Sequence, residues 1–361
     1  MKTLLRLLLK SEDQRNRSGP AQTDKGMTLV ELLVGAIMAF LIITPMLGFV
    51  VDMLNTDRRE QVKSNTEQDV QAALDFIAQD LSQALYIYDN NPATTNTPTT
   101  TATGIPALLA GKFIPPLNTT QTPILVFWKR QLLPNSSPLI RGDKPNSCQP
   151  QPPQTGQNTC DDTYVLALVA YYQVSEANPT WCQPSGTPCP TRIVRYQIQD
   201  GLRNPILKRY FTGADLRSDS QELSKAFNPD FDISNPTQKV TIPNTNWDRV
   251  DVFVNYIDHS SPGPTLTGNE CRTALGNPTN TTGVTQTPLQ EDTLKIPNST
   301  SQNKTNSFYA CVDTARNIAR VTIRGNSLRR LQPNNTDYDD EKSAYFPTAS
   351  VQVQGLGARG K

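Results

Sequence analysis

The chain has 361 residues, among them 29 prolines, 19 glycines and one histidine, and only 36% are hydrophobic. Bases and acids number 34 and 33, and six of the bases (Lys2, Arg6, Lys10, Arg15, Arg17, Lys25) stand in the first 26 residues against three acids (Glu12, Asp13, Asp24). Without that piece 28 bases face 30 acids, a net of about −2 that leaves no electrostatic footprint for nucleic acid, and the composition describes a loop-rich, mostly β chain outside any helix rather than a compact enzyme.

The first element is an apolar run. From Thr28 to Val51 the only charged side chain is Glu31, and at ~1.5 Å per residue the stretch is about 36 Å long, enough to cross a bilayer with some tilt. A cleaved secretory signal is the alternative. Against it, the run exceeds the 7 to 15 residues of a usual h-region, and "VVDMLNT" lacks a small-x-small cleavage site. Positive charge ahead of the run keeps the N-terminus cytoplasmic and sends the remainder outward. Pro45 and Gly48 predict a bend or local melting within the membrane half. Beyond it, no Gly or Pro occurs from Asn55 to Tyr88, and Val62, Thr66, Val70, Ala73, Leu74, Ile77, Leu81, Leu85 and Tyr88 recur at steps of three and four. The helix is therefore expected to continue, with Asp69, Asp75 and Asp80 among the charges on or beside its wet faces.

"KGMTLVELLVGAIMAFLIITPMLGFVV" resembles the class III signal of type IV pilins and type II secretion pseudopilins. The resemblance implies that a prepilin peptidase cuts after Gly26 and methylates the new amine of Met27, a position where phenylalanine is commoner. Glu31 then becomes the fifth mature residue. Burying its carboxylate in lipid costs about 2 to 3 kcal/mol. In a bundle of such helices, Glu31 supplies the counter-ion for a Met27 amine, an attraction several times stronger there than in water. The division that follows is 1–26 leader, 27–54 transmembrane helix, 55–89 amphipathic helix and 90–361 globular domain.

Residues 90–122 are rich in Thr and Pro and read as a loop. Strands are expected at 124–129, 164–174, 192–198, 206–211, 250–257, 318–324 and 349–353. "RIVRYQIQDGLRNPILKRYF" reads as a hairpin about Asp200 and Gly201, and Ser260 to Asn306 as a polar insertion with too few apolar residues for a core of its own. The fold class is α+β, a long N-terminal helix on an antiparallel sheet. Together with "LDFIAQDLSQALYIY", these strands are similar to the J-type minor pseudopilins and W-type minor pilins. The segment from Met53 to Asp89 looks close to the pseudopilins of hormogonium polysaccharide secretion in filamentous cyanobacteria. That resemblance implies a minor subunit of a pilus-like fibre used in polysaccharide export and gliding. Its implied partners are the prepilin peptidase, other pilins through the helix, membrane lipid, and an inner-membrane platform with a separate ATPase.

The six cysteines, Cys148, Cys160, Cys182, Cys189, Cys271 and Cys311, all lie downstream of the apolar run. An even set in polar loops reads as disulfides formed in an oxidising compartment, whereas no CxxC pair or nearby His supplies zinc spacing. Fifteen pairings exist in principle; short loops favour Cys148 with Cys160 and Cys182 with Cys189, leaving Cys271 with Cys311.

Other signals are weaker. "GLGARG" at 355–360 meets GxGxxG, but too near the terminus for a helix to follow. "RGD" at 141–143 reads as a turn, and the N-x-S/T matches at Asn118, Asn135, Asn280, Asn298 and Asn303 follow from composition. The acids from Asp337 to Glu341 hold calcium or form a solvated loop. His259, expected at the surface, lacks a GxSxG partner motif. Trp128, Trp181 and Trp247 stack on sugars or pack in the core. No enzyme, metal or cofactor is expected. The alternative to an assembly subunit is a membrane-anchored adhesin or glycan-binding protein.

Overall fold

The computed structural model describes residues 27–90, 104–111, 113–115, 120–140, 142–148, 160–228, 247, 249–260, 268–280, 287–297 and 306–357. The chain divides into two units, 1–58 and 59–361. Helix α1 (Leu29–Ser82) runs across that division. In the first unit it passes Pro45 without a break. Proline removes only the hydrogen bond to the carbonyl of Leu41, and the chain stays helical on both sides of it, so the expected melting is not found.

The second unit begins with the amphipathic half of α1. Val70, Ala73, Leu74, Ile77 and Leu81 are buried, each larger side chain contributing about 1.5 to 3 kcal/mol. The helix stops at Ser82 rather than near Asp89, because residues 84–87 form β1 (Ala84–Ile87). Pairing of β1 with β2 (Gln121–Pro138) satisfies its backbone in place of the helical ladder. Helix α2 (Ile105–Ala110) lies between β1 and β2 in the chain. Strands β3 (Cys160–Val174), β4 (Thr191–Gln199) and β5 (Arg249–Ile257) follow, and the sheet order β1-β2-β3-β4-β5 is an antiparallel meander.

Residues 206–211 form no strand of that sheet. Asn204 Oδ1 accepts from the amides of Ile206 and Leu207, Lys208 has φ +52°, and Phe211 N–H donates to the Leu202 carbonyl. The segment thus folds back on 202–204 as a local turn, bridged only at Arg203 and Tyr210, and β4 takes β5 as its second neighbour.

The polar insertion contributes α3 (Glu270–Ala274), the short strands β6 (Thr279–Asn280) and β7 (Thr287–Pro288), α4 (Glu291–Leu294) and β8 (Lys295–Ile296). It does bury a small cluster, Cys271, Leu275 and Leu294 with Cys311. A disulfide there replaces the apolar area the composition lacks. Next come β9 (Phe308–Asp313), β10 (Ile318–Arg324), α5 (Leu328–Leu331) and β11 (Thr348–Gln354), with the second antiparallel sheet ordered β11-β10-β9-β8.

The two sheets share one hydrophobic core with α1. Asn317 ties them together: its amide nitrogen donates to the Ala84 carbonyl at 3.0 Å, and its Oδ1 accepts from Ile87 N–H at 3.0 Å. Gly325 lets α1 approach the end of β10; a Cβ there would lie 2.6 Å from Thr66 Cγ2 and 3.1 Å from Val70 Cγ2.

Candidate functional site

The apolar half of α1 opens with Thr28, whose Oγ1 accepts from Glu31 N–H at 3.3 Å while its carbonyl accepts from Leu32 N–H at 3.1 Å. Thr28 is thus the N-cap and Glu31 the third helical residue, the spacing of a capping box. A carboxylate in the first turn also faces the positive end of the helix dipole. The "TLVE" signal for this cap is present in the sequence; the bond formed is to the Glu31 backbone amide, and the carboxylate adds its interaction with the helix dipole. Every large apolar side chain from Leu29 to Leu54 is exposed. Such a surface, all round the helix, is long and apolar enough to cross a membrane. Met27 is exposed, whereas Gly26 lies outside the described residues.

A second constellation was not foreseen. Asp80, expected on a wet face, is buried, because it lies three residues past Ile77 on the same stripe as Val70, Ala73 and Leu81. Its Oδ1 accepts from Lys129 Nζ of β2 at 2.6 Å. Its Oδ2 accepts from Arg195 Nε of β4 at 2.9 Å and from the Tyr171 hydroxyl of β3 at 2.8 Å. Burial raises the Asp80 pKa, but Arg195 and Lys129 outweigh it and hold the carboxyl below the usual range. Burial lowers Lys129 from its ordinary range although Asp80 pulls the other way. One acid of the helix therefore neutralises cations from two strands of the sheet. An acid at a position where the helical period demands an apolar residue was the readable sign; its partners were not readable.

The cysteines pair as Cys148–Cys160, Cys182–Cys189 and Cys271–Cys311. The His259 side chain is 5% exposed, its Nε2 3.4 Å from Asp337 and 3.3 Å from Thr336 Oγ1. Burial draws its pKa below the ordinary imidazole value against the pull of Asp258 and Asp337. The expected surface position is therefore wrong: the segment between α5 and β11 meets the ring at Thr336 and Asp337. Ser260 Oγ does not reach the imidazole but donates to Asp258 Oδ1 at 2.6 Å, and Arg324 Nε holds the other oxygen at 2.9 Å. This is an ion pair with caps, not a nucleophile relay.

Asp339 caps the 3-10 turn at 340–345 by accepting from Glu341 N–H, and Asp340 accepts from the Tyr338 hydroxyl. Among the described residues no three His, Cys, Asp or Glu side chains gather in a metal-holding group. Trp128 is fully buried and donates to the Tyr88 hydroxyl at 3.0 Å; Trp247 meets Tyr196 edge-on. Gly355 and Gly357 end β11 against Ala84 and Leu85, while Ala358, Arg359 and Gly360 of "GLGARG" and Arg141 of "RGD" lie outside the described residues. An open groove of about 720 Å³ separates the β2–β3 tip from the 200–206 turn, with Tyr164 and Ile140 exposed along it. Comparison of the chain with protein-family models, with curated proteins and with solved structures finds no match.

Proposed function

We propose that the chain is a minor pseudopilin-type subunit of a pilus-like secretion fibre, structural rather than catalytic. In this reading prepilin peptidase removes residues 1–26 and methylates Met27. The subunit then waits in the cytoplasmic membrane with its globular domain on the far side. An assembly platform driven by a separate ATPase inserts it among other pilins, and the fibre serves polysaccharide export and gliding. The observation that carries the reading is α1 itself: a helix apolar on every face and exposed throughout its first half, whose only charge before Asp52 is Glu31. An amphipathic half that docks on an antiparallel, disulfide-stitched domain supports it.

The capping contact supplies a sharp test. Glutamine satisfies a capping box as glutamate does, yet carries no charge. Glu31→Gln therefore keeps the helix start and removes the counter-ion. In cells with active prepilin peptidase, mass spectrometry should find methylated Met27 as the N-terminus of the wild type, and Glu31→Gln should be missing from sheared fibres. Recovery of Met1, or normal incorporation of the glutamine variant, refutes the proposal. In the adhesin alternative the glutamine variant remains on the membrane and keeps its ligand binding.

A further inference from the structure

Arg329, on α5, is fully buried, and its surroundings are unusual for a guanidinium. Its Nε donates to the Pro188 carbonyl at 2.9 Å, Nη2 donates to the Gly186 carbonyl at 3.2 Å and lies 3.6 Å from Cys182 Sγ, and Nη1 has no partner among the described residues. Among the described residues no carboxylate pairs with it. Asp258, which accepts from Asn326 beside it, is already held by Arg324. A buried cation without a counter-ion is costly, and the atom in front of it with latent negative charge is a disulfide sulfur.

We infer that Cys182–Cys189 is a thiol–disulfide exchange site for a small thiol, with Arg329 stabilising the Cys182 thiolate. Access distinguishes this bridge from the other two. Cys182 and Cys189 are half-buried at the base of an exposed loop, whereas Cys148, Cys160, Cys271 and Cys311 are buried. The loop is seated on the segment just past α5 at Gly186, where a Cβ would come within 2.6 Å of Pro333 Cβ, so the sulfur is held against the guanidinium.

Exchange favours the leaving group of lower pKa. An incoming thiolate therefore attacks Cys189 Sγ, the disulfide bond breaks, and Cys182 leaves as a thiolate paired with Arg329. A second thiolate attacks the mixed disulfide on Cys189. The small thiols depart as their own disulfide, and the released Cys189 sulfur takes up a proton. Two electrons pass from the small thiols to the protein, and the chain gains the counter-ion that Arg329 lacks. Arg329 is the cation recorded against the pair; Tyr256 and His259 in turn interact with Arg329, and His259 with Asp258 and Asp337. His259 adds no positive charge at neutral pH, because burial lowers its pKa. The Gly186 carbonyl, 3.3 Å from Cys182 Sγ, favours the protonated thiol, but a dipole already bonded to Arg329 opposes a full charge only weakly.

The test uses the full chain in detergent micelles with reduced glutathione as the probe. Free thiols are trapped by N-ethylmaleimide and read by peptide mass spectrometry. Cys182 and Cys189 are expected to open first, with the glutathione adduct on Cys189. Once reduced, Cys182 should react with iodoacetamide at pH 7 about tenfold faster than an unperturbed cysteine, with a midpoint at least about one unit below 8.5. Arg329→Met should bring that midpoint back, and Arg329→Lys should largely retain it. Simultaneous opening of all three bridges, an adduct on Cys182, or a midpoint of 8.5 or above in the wild type overturns the inference. The wild-type measurements decide it even if the methionine variant does not fold.

Discussion

Replacing Asp80 by asparagine preserves its size and removes one charge from the contact between α1 and the first sheet. The side chains of Asp80, Lys129 and Arg195 are 8%, 6% and 10% exposed, so solvent screens little of the interaction. Asparagine leaves two buried cations facing each other without an anion, and breaking a buried pair in this way costs about 3 to 5 kcal/mol. At roughly 2 to 4 °C per kcal/mol for a large domain, the thermal midpoint of the globular unit should fall by about 10 °C. Near-ultraviolet circular dichroism of the full chain in detergent measures it, since Tyr171 touches the cluster and Phe76 lies 5.0 Å from Phe253.

The same contact sets a pH dependence. Asp80 is held below its unfolded value, so between the two values the unfolded chain binds more protons. The contribution is complete above about pH 4 and is lost as pH falls through the folded value. Asp80→Asn should flatten the acid limb of the stability curve. Replacing Asp80, Lys129 and Arg195 together by Leu, Met and Met should recover most of the loss, because apolar side chains of similar volume commonly replace buried ion pairs at no cost. If Asp80→Asn lowers the midpoint by less than about 2 °C and leaves the acid limb unchanged, the cluster does not fasten the helix.

Two further outcomes are expected from the globular unit. Cys271→Ser with Cys311→Ser opens a bridge of sequence separation 40 and should cost about 4 kcal/mol by chain entropy, read as a lower denaturant midpoint, with protease sensitivity appearing first within residues 268–297. Gly325→Val should cost about 1 to 3 kcal/mol through overpacking against Thr66 and Val70, and Thr66→Ser in the same chain should recover part of it; equal stability of Gly325→Val and wild type would deny the close approach.

Patterns local in sequence determined much of this molecule. The uninterrupted apolar run, the stripe from Thr66 to Leu81 and the alternating strands at 164–174, 192–198 and 318–324 follow from periodicity that one segment carries alone, and short loops sufficed to suggest which cysteines meet. Tertiary structure decided where such patterns compete. "ALYIY" continues a helical period, yet β1 forms because the edge of β2 offers it a ladder. Residues 206–211 alternate like a strand, yet Asn204 and Lys208 turn them back. Asp80 looks like a surface acid until β2 and β4 bring two cations to it, from 49 and 115 residues away. Arg329 meets Cys182 across 147 residues. Charges buried in pairs depend on distances between segments remote in the chain, and no local period records those distances.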